Sequence, residues 1–293
     1  MSHASRRQFL KQSLCLGAAA VVARPLAAWA AKPGSRIRFG MVTYQWGQDW
    51  DLPTLIANCT KTGVLGVELR TGHAHGVDLA LAAPQRQEVR KRFQDSPVTL
   101  VGIGSAEEFH HVDQARLQKA IEDTKAYVLL SRDVGGSGVK VRPNQLPKEV
   151  APEKTIEQIG KALNVVGAFA ADYGQQIRLE VHGGCARLPI IKQIMDVATH
   201  PNVYVCWNSN KQDLEEPGLE ANFNLVKARL GGTVHMRTFD SKDYPWQDLV
   251  NLFVKMDYAG WVLLEAGTKV ADRVQGLIEQ KAAFDKMLAT AQG

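Results

Sequence analysis

Six short apolar runs in this 293-residue chain end in side chains of the kinds that bind cations or move protons. Val67-Glu68-Leu69-Arg70 is followed by His73 and His75, and a second run closes on Lys140-Val141-Arg142. Leu179-Glu180-Val181-His182, Cys206-Trp207-Asn208-Ser209-Asn210, Val234-His235-Met236-Arg237 and Leu263-Leu264-Glu265-Ala266-Gly267 complete the set. In extended chain, residues two apart share a face. Glu68 with Arg70, Glu180 with His182 and His235 with Arg237 are therefore each expected to point one way, while their apolar neighbours take the other. A carboxylate embedded in a run such as Val262-Leu-Leu-Glu265 is costly to bury unless it is paired or bound to a cation. For any one residue a salt bridge inside the fold is as good an account as a functional site. Four successive runs ending in Glu, Asn, His and Glu favour the site.

The elements that must position these groups alternate along the chain. Apolar runs at 37–45, 66–70, 98–104, 138–142, 177–182, 203–207, 233–239 and 261–266 read as strands. Between and after them, stretches near 51–62, 84–95, 113–131, 153–173, 187–199, 219–229, 246–257 and 271–289 have helical periodicity. Eight repeats of this unit predict an α/β fold, a single-domain (β/α)8 TIM barrel over 31–293, with its site at the C-terminal ends of the strands. Asp51-Leu-Pro53, Asp113 and Pro152 are helix-start signals, and Gly63, Gly174 and Gly260 stand where left-handed caps are wanted. Gly135-Gly-Ser-Gly138 lacks the lysine and hydroxyl of a phosphate-binding loop and reads as a flexible connection before the fourth strand.

Residues 1–30 are set apart by their chemistry. Ser5-Arg6-Arg7-Gln8-Phe9-Leu10-Lys11 resembles a twin-arginine export signal, residues 14–23 form an apolar stretch too short for a spanning helix, and Ala28-Trp29-Ala30 supplies the small residues of a cleavage site. A periplasmic mature protein handled by the twin-arginine machinery, with no stable membrane span, is expected. Loss of Arg6, Arg7, Lys11 and Arg24 with no acid takes the formal charge from +5 to about +1, which leaves no electrostatic footprint for nucleic acid. Cys59, Cys185 and Cys206 are an odd set without metal-binding spacing and read as buried thiols.

As an ordered set the strand-end residues resemble the xylose-isomerase-like barrel superfamily, which includes sugar isomerases, ketose epimerases, inosose dehydratases and metal-dependent endonucleases. The resemblance spans the mature chain. It implies one divalent cation (Mn, Mg, Co or Zn) held by Glu180, Asn208, His235 and Glu265, with Glu180 and Glu265 also moving the proton. Two positions depart from the pattern. Asn208 stands where the superfamily usually has Asp, giving an amide oxygen without its charge, and Lys211 replaces a histidine often found three residues later. Glu68, Arg70, His73, Arg142, His182, Lys211 and Arg237 are the expected substrate contacts, and Tyr44, Trp46 and Trp207 are candidate stacking surfaces for a sugar.

Such a site stabilises an enediolate through a Lewis acid and a positioned carboxylate. The expected activity is a sugar isomerase or epimerase acting by proton abstraction beside a carbonyl. A keto-sugar dehydratase or keto-glycoside lyase uses the same logic, and a non-catalytic sugar-binding barrel is the alternative that Asn208 and Lys211 favour. Export points to free, glycosylated or oxidised sugars rather than sugar phosphates. If the amino-terminal segment is a twin-arginine signal, replacing Arg6 and Arg7 together by lysine retains the protein in the cytoplasm; cell fractionation reads this, and an unchanged periplasmic yield rejects it.

Overall fold

A computed structural model of the chain describes residues 32–293, so the expected export signal lies outside the described residues. Eight strands alternate with eight helices: β1 (Arg38–Val42), α1 (Leu52–Thr62), β2 (Gly66–Arg70), α2 (Ala83–Gln94), β3 (Thr99–Glu108), α3 (Gln114–Val134), β4 (Gly138–Arg142), α4 (Pro152–Ala171), β5 (Gln176–Glu180), α5 (Leu188–Val197), β6 (Val203–Cys206), α6 (Leu219–Val226), β7 (Thr233–Met236), α7 (Trp246–Lys255), β8 (Trp261–Leu264) and α8 (Arg273–Gln292). All strand pairs are parallel, in the order β6-β5-β4-β3-β2-β1-β8-β7. The sheet nearly closes between β6 and β7. There the Gly231 amide donates to the Val205 carbonyl at 2.9 Å and the His235 amide to the Trp207 carbonyl at 2.7 Å. This seam sets Asn208 beside His235. The result is a single-domain (β/α)8 TIM barrel, as its alternating pattern predicts.

Local chemistry fixes the element ends. Asp51 accepts from the Thr54 amide, and Asp113 from those of Ala115 and Arg116, so both cap helices as expected. Gly63 and Gly135 take left-handed conformations at the ends of α1 and α3. Gly260 is different. At the end of α7 the positive φ falls on Asp257, and Gly260 is needed because a Cβ there would lie 2.2 Å from the Tyr258 hydroxyl and 2.8 Å from the Gly232 carbonyl.

Strand alternation divides the molecule into two interiors. Val67, Leu69, Val139, Val141, Ile177, Leu179, Val203 and Val205 face outward and are buried under the helices in the main apolar core. The inward face carries a small apolar cluster, Val42, Val101, Trp261 and Leu263, together with the buried charged residues Glu68, Lys140, Arg178, Glu180 and His235. Arg178 anchors the lower part of the barrel. Its guanidinium donates to Gln176 Oε1, the Val101 carbonyl and Ser137 Oγ at 2.9, 3.2 and 2.7 Å. Trp261 also lies in this region, with the Arg38 guanidinium 4.3 Å from its ring centroid.

The fit around Trp261 leaves no space beside it. A Cβ on Gly66 would fall 2.3 Å from the indole Cε3. Gly66→Ala is therefore expected to destabilise the barrel by about 1–3 kcal/mol, the usual cost of overpacking. Urea denaturation reads this, and a loss below about 0.5 kcal/mol would show that the ring gives way freely.

Candidate metal centre and active site

The inward face of the barrel brings two carboxylates where water does not reach. Glu68 on β2 is fully buried, and Glu180 at the end of β5 is only 1% exposed. Burial by itself favours their neutral acids, yet both are held below the ordinary carboxylate range. For Glu68 the opposing fields come from His235, Lys140 and Arg178. For Glu180, which lies well below that range, they come chiefly from Lys140 and His235. The Lys140 ammonium, on β4 and equally buried, sits 2.8 Å from Glu180 Oε2. It shares a strand face with Arg142, the same spacing of two that singled out the other pairs.

His235 on β7 lies between the carboxylates. Its Nε2 faces Glu68 Oε1 at 3.2 Å, while Nδ1 faces Glu180 Oε1 at 3.5 Å and Glu265 Oε2 at 3.9 Å. Desolvation works against the imidazolium, but the fields of Cys206 and Glu68 and the contact with Glu180 raise His235 well above the ordinary histidine range. The buried Nδ1 has no hydrogen-bond partner among the described residues. One ligand atom from each of Glu180, His235 and Glu265 lies within 4.8 Å of the others. Atoms each about 2.0–2.2 Å from a common ion would be separated by about 3–4.4 Å, so the three fit one divalent cation after small side-chain adjustments. Glu68 then plays the carboxylate behind a ligating histidine that fixes its ring.

Asn208 joins this group in an unexpected sense. Its Nδ2 donates to Glu180 Oε1 at 2.9 Å and Glu265 Oε2 at 3.1 Å, so the amide bridges the two carboxylates through its donor end. Ligation through Oδ1, as expected from the sequence, needs a half-turn of that amide. Asn210 fixes the backbone beneath, donating from Nδ2 to the carbonyls of Val181 and Asn208 at 2.8 and 3.0 Å.

Above the triad opens a cavity of about 320 Å³ lined by Tyr44, Arg70, Arg142, His182, Asn208, Ser209, Asn210, Arg237 and Glu265. Arg70, Arg142, His182 and Arg237 are thus where substrate contacts were expected. Arg142 is also paired with Glu108 at 2.6 Å, and Arg237 reaches Asp243 at 3.4 Å. His182 Nδ1 meets Asn144 Oδ1 at 2.8 Å. Burial lowers the His182 pKa despite the nearby Glu180 charge, which favours a neutral ring. Asn144 has φ +60°, and its carbonyl accepts from the Gly184 amide at 2.6 Å. This hairpin-like contact holds the loop after β5 against the loop after β4, an arrangement that leaves no periodic trace in sequence.

Several expectations are corrected. Glu68 does not reach the cavity, because it is enclosed behind His235. Lys211 projects away, 79% exposed, with Asp243 as its nearest carboxylate at 3.9 Å. His73 is absent from the cavity wall, its Nδ1 lying 3.2 Å from Thr43 Oγ1. Of the aromatics, Tyr44 lines the cavity, whereas Trp46 donates to the Thr268 carbonyl at 2.6 Å and buried Trp207 packs edge-on against Phe223. The two glutamates also differ. Glu265 lines the cavity, but Glu180 is sealed beneath Asn208.

At the strand ends of a parallel barrel, where such folds carry their sites, Glu180, His235 and Glu265 form a group that could hold a metal ion. Residues 56–287 match the family described as the xylose isomerase-like TIM barrel, and the chain belongs to it. Among solved structures, L-ribulose 3-epimerase superposes with a TM-score of 0.74 at 15% identity, covering 87% of this chain and 96% of that one. A 3-keto-D-glucoside 4-epimerase from E. coli, in apo form, gives 0.70 at 16% identity with 86% and 99% covered. The IolI protein with a bound zinc atom gives 0.73 at 14%, with 87% and 99% covered. No curated protein matches the chain in sequence.

The triad makes a metal prediction with two readouts. His235→Ala or Glu265→Gln should weaken Mn²⁺ binding at least tenfold in isothermal titration; Glu265→Gln should leave the melting temperature little changed, whereas His235→Ala should lower it because buried Glu68 loses its counterion. Asn208→Asp should tighten binding but lower the melting temperature of the apoprotein, because a third carboxylate then replaces a donor between two others. The cation must also displace the His235 proton, so affinity should rise with pH through the histidine's titration. Unchanged affinity in both His235→Ala and Glu265→Gln would place the ion elsewhere.

Proposed function

We propose that this protein is a divalent-metal-dependent sugar isomerase or epimerase that removes a proton beside a sugar carbonyl. The observation that carries this reading is Glu265, a member of the triad that also lines the cavity, so one carboxylate meets both the cation site and the space for substrate. The epimerases among the similar folds support a carbohydrate as the substrate class.

A divalent ion held by Glu180, His235 and Glu265 supplies Lewis-acid polarisation of the carbonyl and its neighbouring hydroxyl. The side chains do the rest. Glu265 is the carboxylate positioned to take the proton from the hydroxyl-bearing carbon beside the carbonyl. Glu180 would help hold the cation, with Lys140 against its Oε2. Neutral His182, whose Nδ1–H can donate to Asn144 Oδ1, offers Nε2 as an acceptor for a substrate hydroxyl. Arg142 and Arg237 frame the cavity. Twin-arginine export, suggested by Arg6 and Arg7, puts the reaction in the periplasm in this proposal.

Elimination is the second reading, since the same enolate expels a leaving oxygen on the next carbon. The test is isotope exchange. A keto-sugar or keto-glycoside incubated with Mn²⁺-loaded protein in heavy water should gain deuterium at the carbon beside the carbonyl, and Glu265→Gln should slow this by roughly 10²–10⁴-fold. Product mass separates epimerisation, which conserves every oxygen, from loss of water or an aglycone. Absence of exchange across free, oxidised and glycosylated sugars, with metal bound in the triad, would favour a sugar-binding barrel.

A further inference from the structure

The cavity wall carries three guanidinium groups but only one carboxylate, and the arginines are not equally committed. Arg142 has Glu108 at 2.6 Å. Arg237 has Asp243, and its Nε donates to the Ser209 carbonyl at 3.0 Å. Arg70 has neither kind of partner among the described residues: its guanidinium lies 5.0 Å from the Tyr44 ring centroid and makes no ion pair or hydrogen bond. Glu68, the carboxylate on its own strand face, is turned to His235. The stem of Arg70 passes beside Gly104, where a Cβ would fall 3.3 Å from Arg70 Cγ and 2.8 Å from Glu68 Oε1.

From this we propose that the substrate carries a carboxylate, as a uronate or other acidic sugar does, and that Arg70 binds it. The assignment rests on the proposed use of this cavity as the substrate site. A guanidinium over an aromatic ring keeps its N–H edges free, and those edges match the two oxygens of a carboxylate in one plane. Glu265, the acid on the same wall, belongs to the metal triad and leaves Arg70 to an incoming anion. Arg70 is thus a specificity residue on the wall of that cavity.

Isothermal titration of the Mn²⁺-loaded mature protein with D-fructose, D-fructuronate and D-fructose 6-phosphate tests the assignment apart from turnover. Fructuronate should bind at least tenfold more tightly than fructose. Arg70→Gln should shrink that ratio by about tenfold or more, the loss expected of a hydrogen bond to a charged group. Arg70→Lys, which keeps the charge without the fork, should retain only part of the preference and serves as the readout if the glutamine variant does not fold. Equal binding of fructose and fructuronate, a preference untouched in Arg70→Gln, full retention in Arg70→Lys, or stronger binding of the phosphate ester would each overturn it. Carboxylate selectivity through Arg70 without isotope exchange on any sugar would reject the isomerase reading and leave this one standing. Exchange on neutral sugars without acid preference would do the reverse.

Discussion

Two carboxylates inside a barrel must each face a cation, and the interior of this protein is organised around that requirement. Glu68 and Glu180 are inward on strands whose other faces are wholly apolar, so neither can turn away without unpacking the helices. Lys140, Arg178 and His235 answer them from β4, β5 and β7. An isolated buried carboxylate is neutral or expelled, but a network of ionised groups can be retained if each is met at close range. The barrel meets this condition by setting Lys140 of β4 against Glu180 of β5 and His235 of β7 against Glu68 of β2. Its shape supplies the distances that a flexible chain could not.

The arrangement of Glu180, His235 and Glu265, a group that could hold a metal ion, follows from that network. Lys140 lies against Oε2 of Glu180, leaving Oε1 toward His235 Nδ1 and Asn208. Glu68 lies against Nε2 of His235, leaving Nδ1 toward the ligand carboxylates. In both cases the partner behind a ligand determines which atom is presented in front. Asn208 fits this balance. With two glutamates already converging, the amide contributes a donor where a third carboxylate would repel. The triad therefore has fewer negative charges than an Asp-containing set, and its closed geometry depends more on the groups behind it.

Most of the fold was legible because its pattern repeats. Each strand and helix lies within a few residues of the position expected from periodicity, and the parity rule put Glu68, Glu180 and His235 inward. It also applied to Lys140, whose neighbours Val139 and Val141 are apolar, but a lysine near a strand end reads equally well as a solvated charge. What parity lacks is height. Glu68 and Arg70 share a face, yet the first lies in the closed interior and the second in the open mouth, a difference of one pleat. Lys211 and His73 lie beyond the strands, where the backbone no longer alternates and side-chain direction is set by turns. Asn144 was invisible for the same reason: its contact with His182 joins two loops through a residue of positive φ. Tyr44 and Trp46, two apart in one loop, were candidates of equal standing, and only the position of α8 against Trp46, through Gly276, separates the cavity wall from the core.

The pleat that separates Glu68 from Arg70 also separates the buried charge network from the cavity wall on the other strands. In each of the pairs Glu68 and Arg70, Glu180 and His182, and His235 and Arg237, the earlier residue belongs to the buried charge network and the later one to the cavity wall. Replacing an earlier member leaves an ion without its counterion in low dielectric, which is strongly destabilising. Replacing a later member alters a group that water can reach, at a much smaller cost to the fold. The two layers are thus under different physical constraints although they alternate on the same strands. The cavity wall is free to vary because the buried charges are satisfied one layer below it.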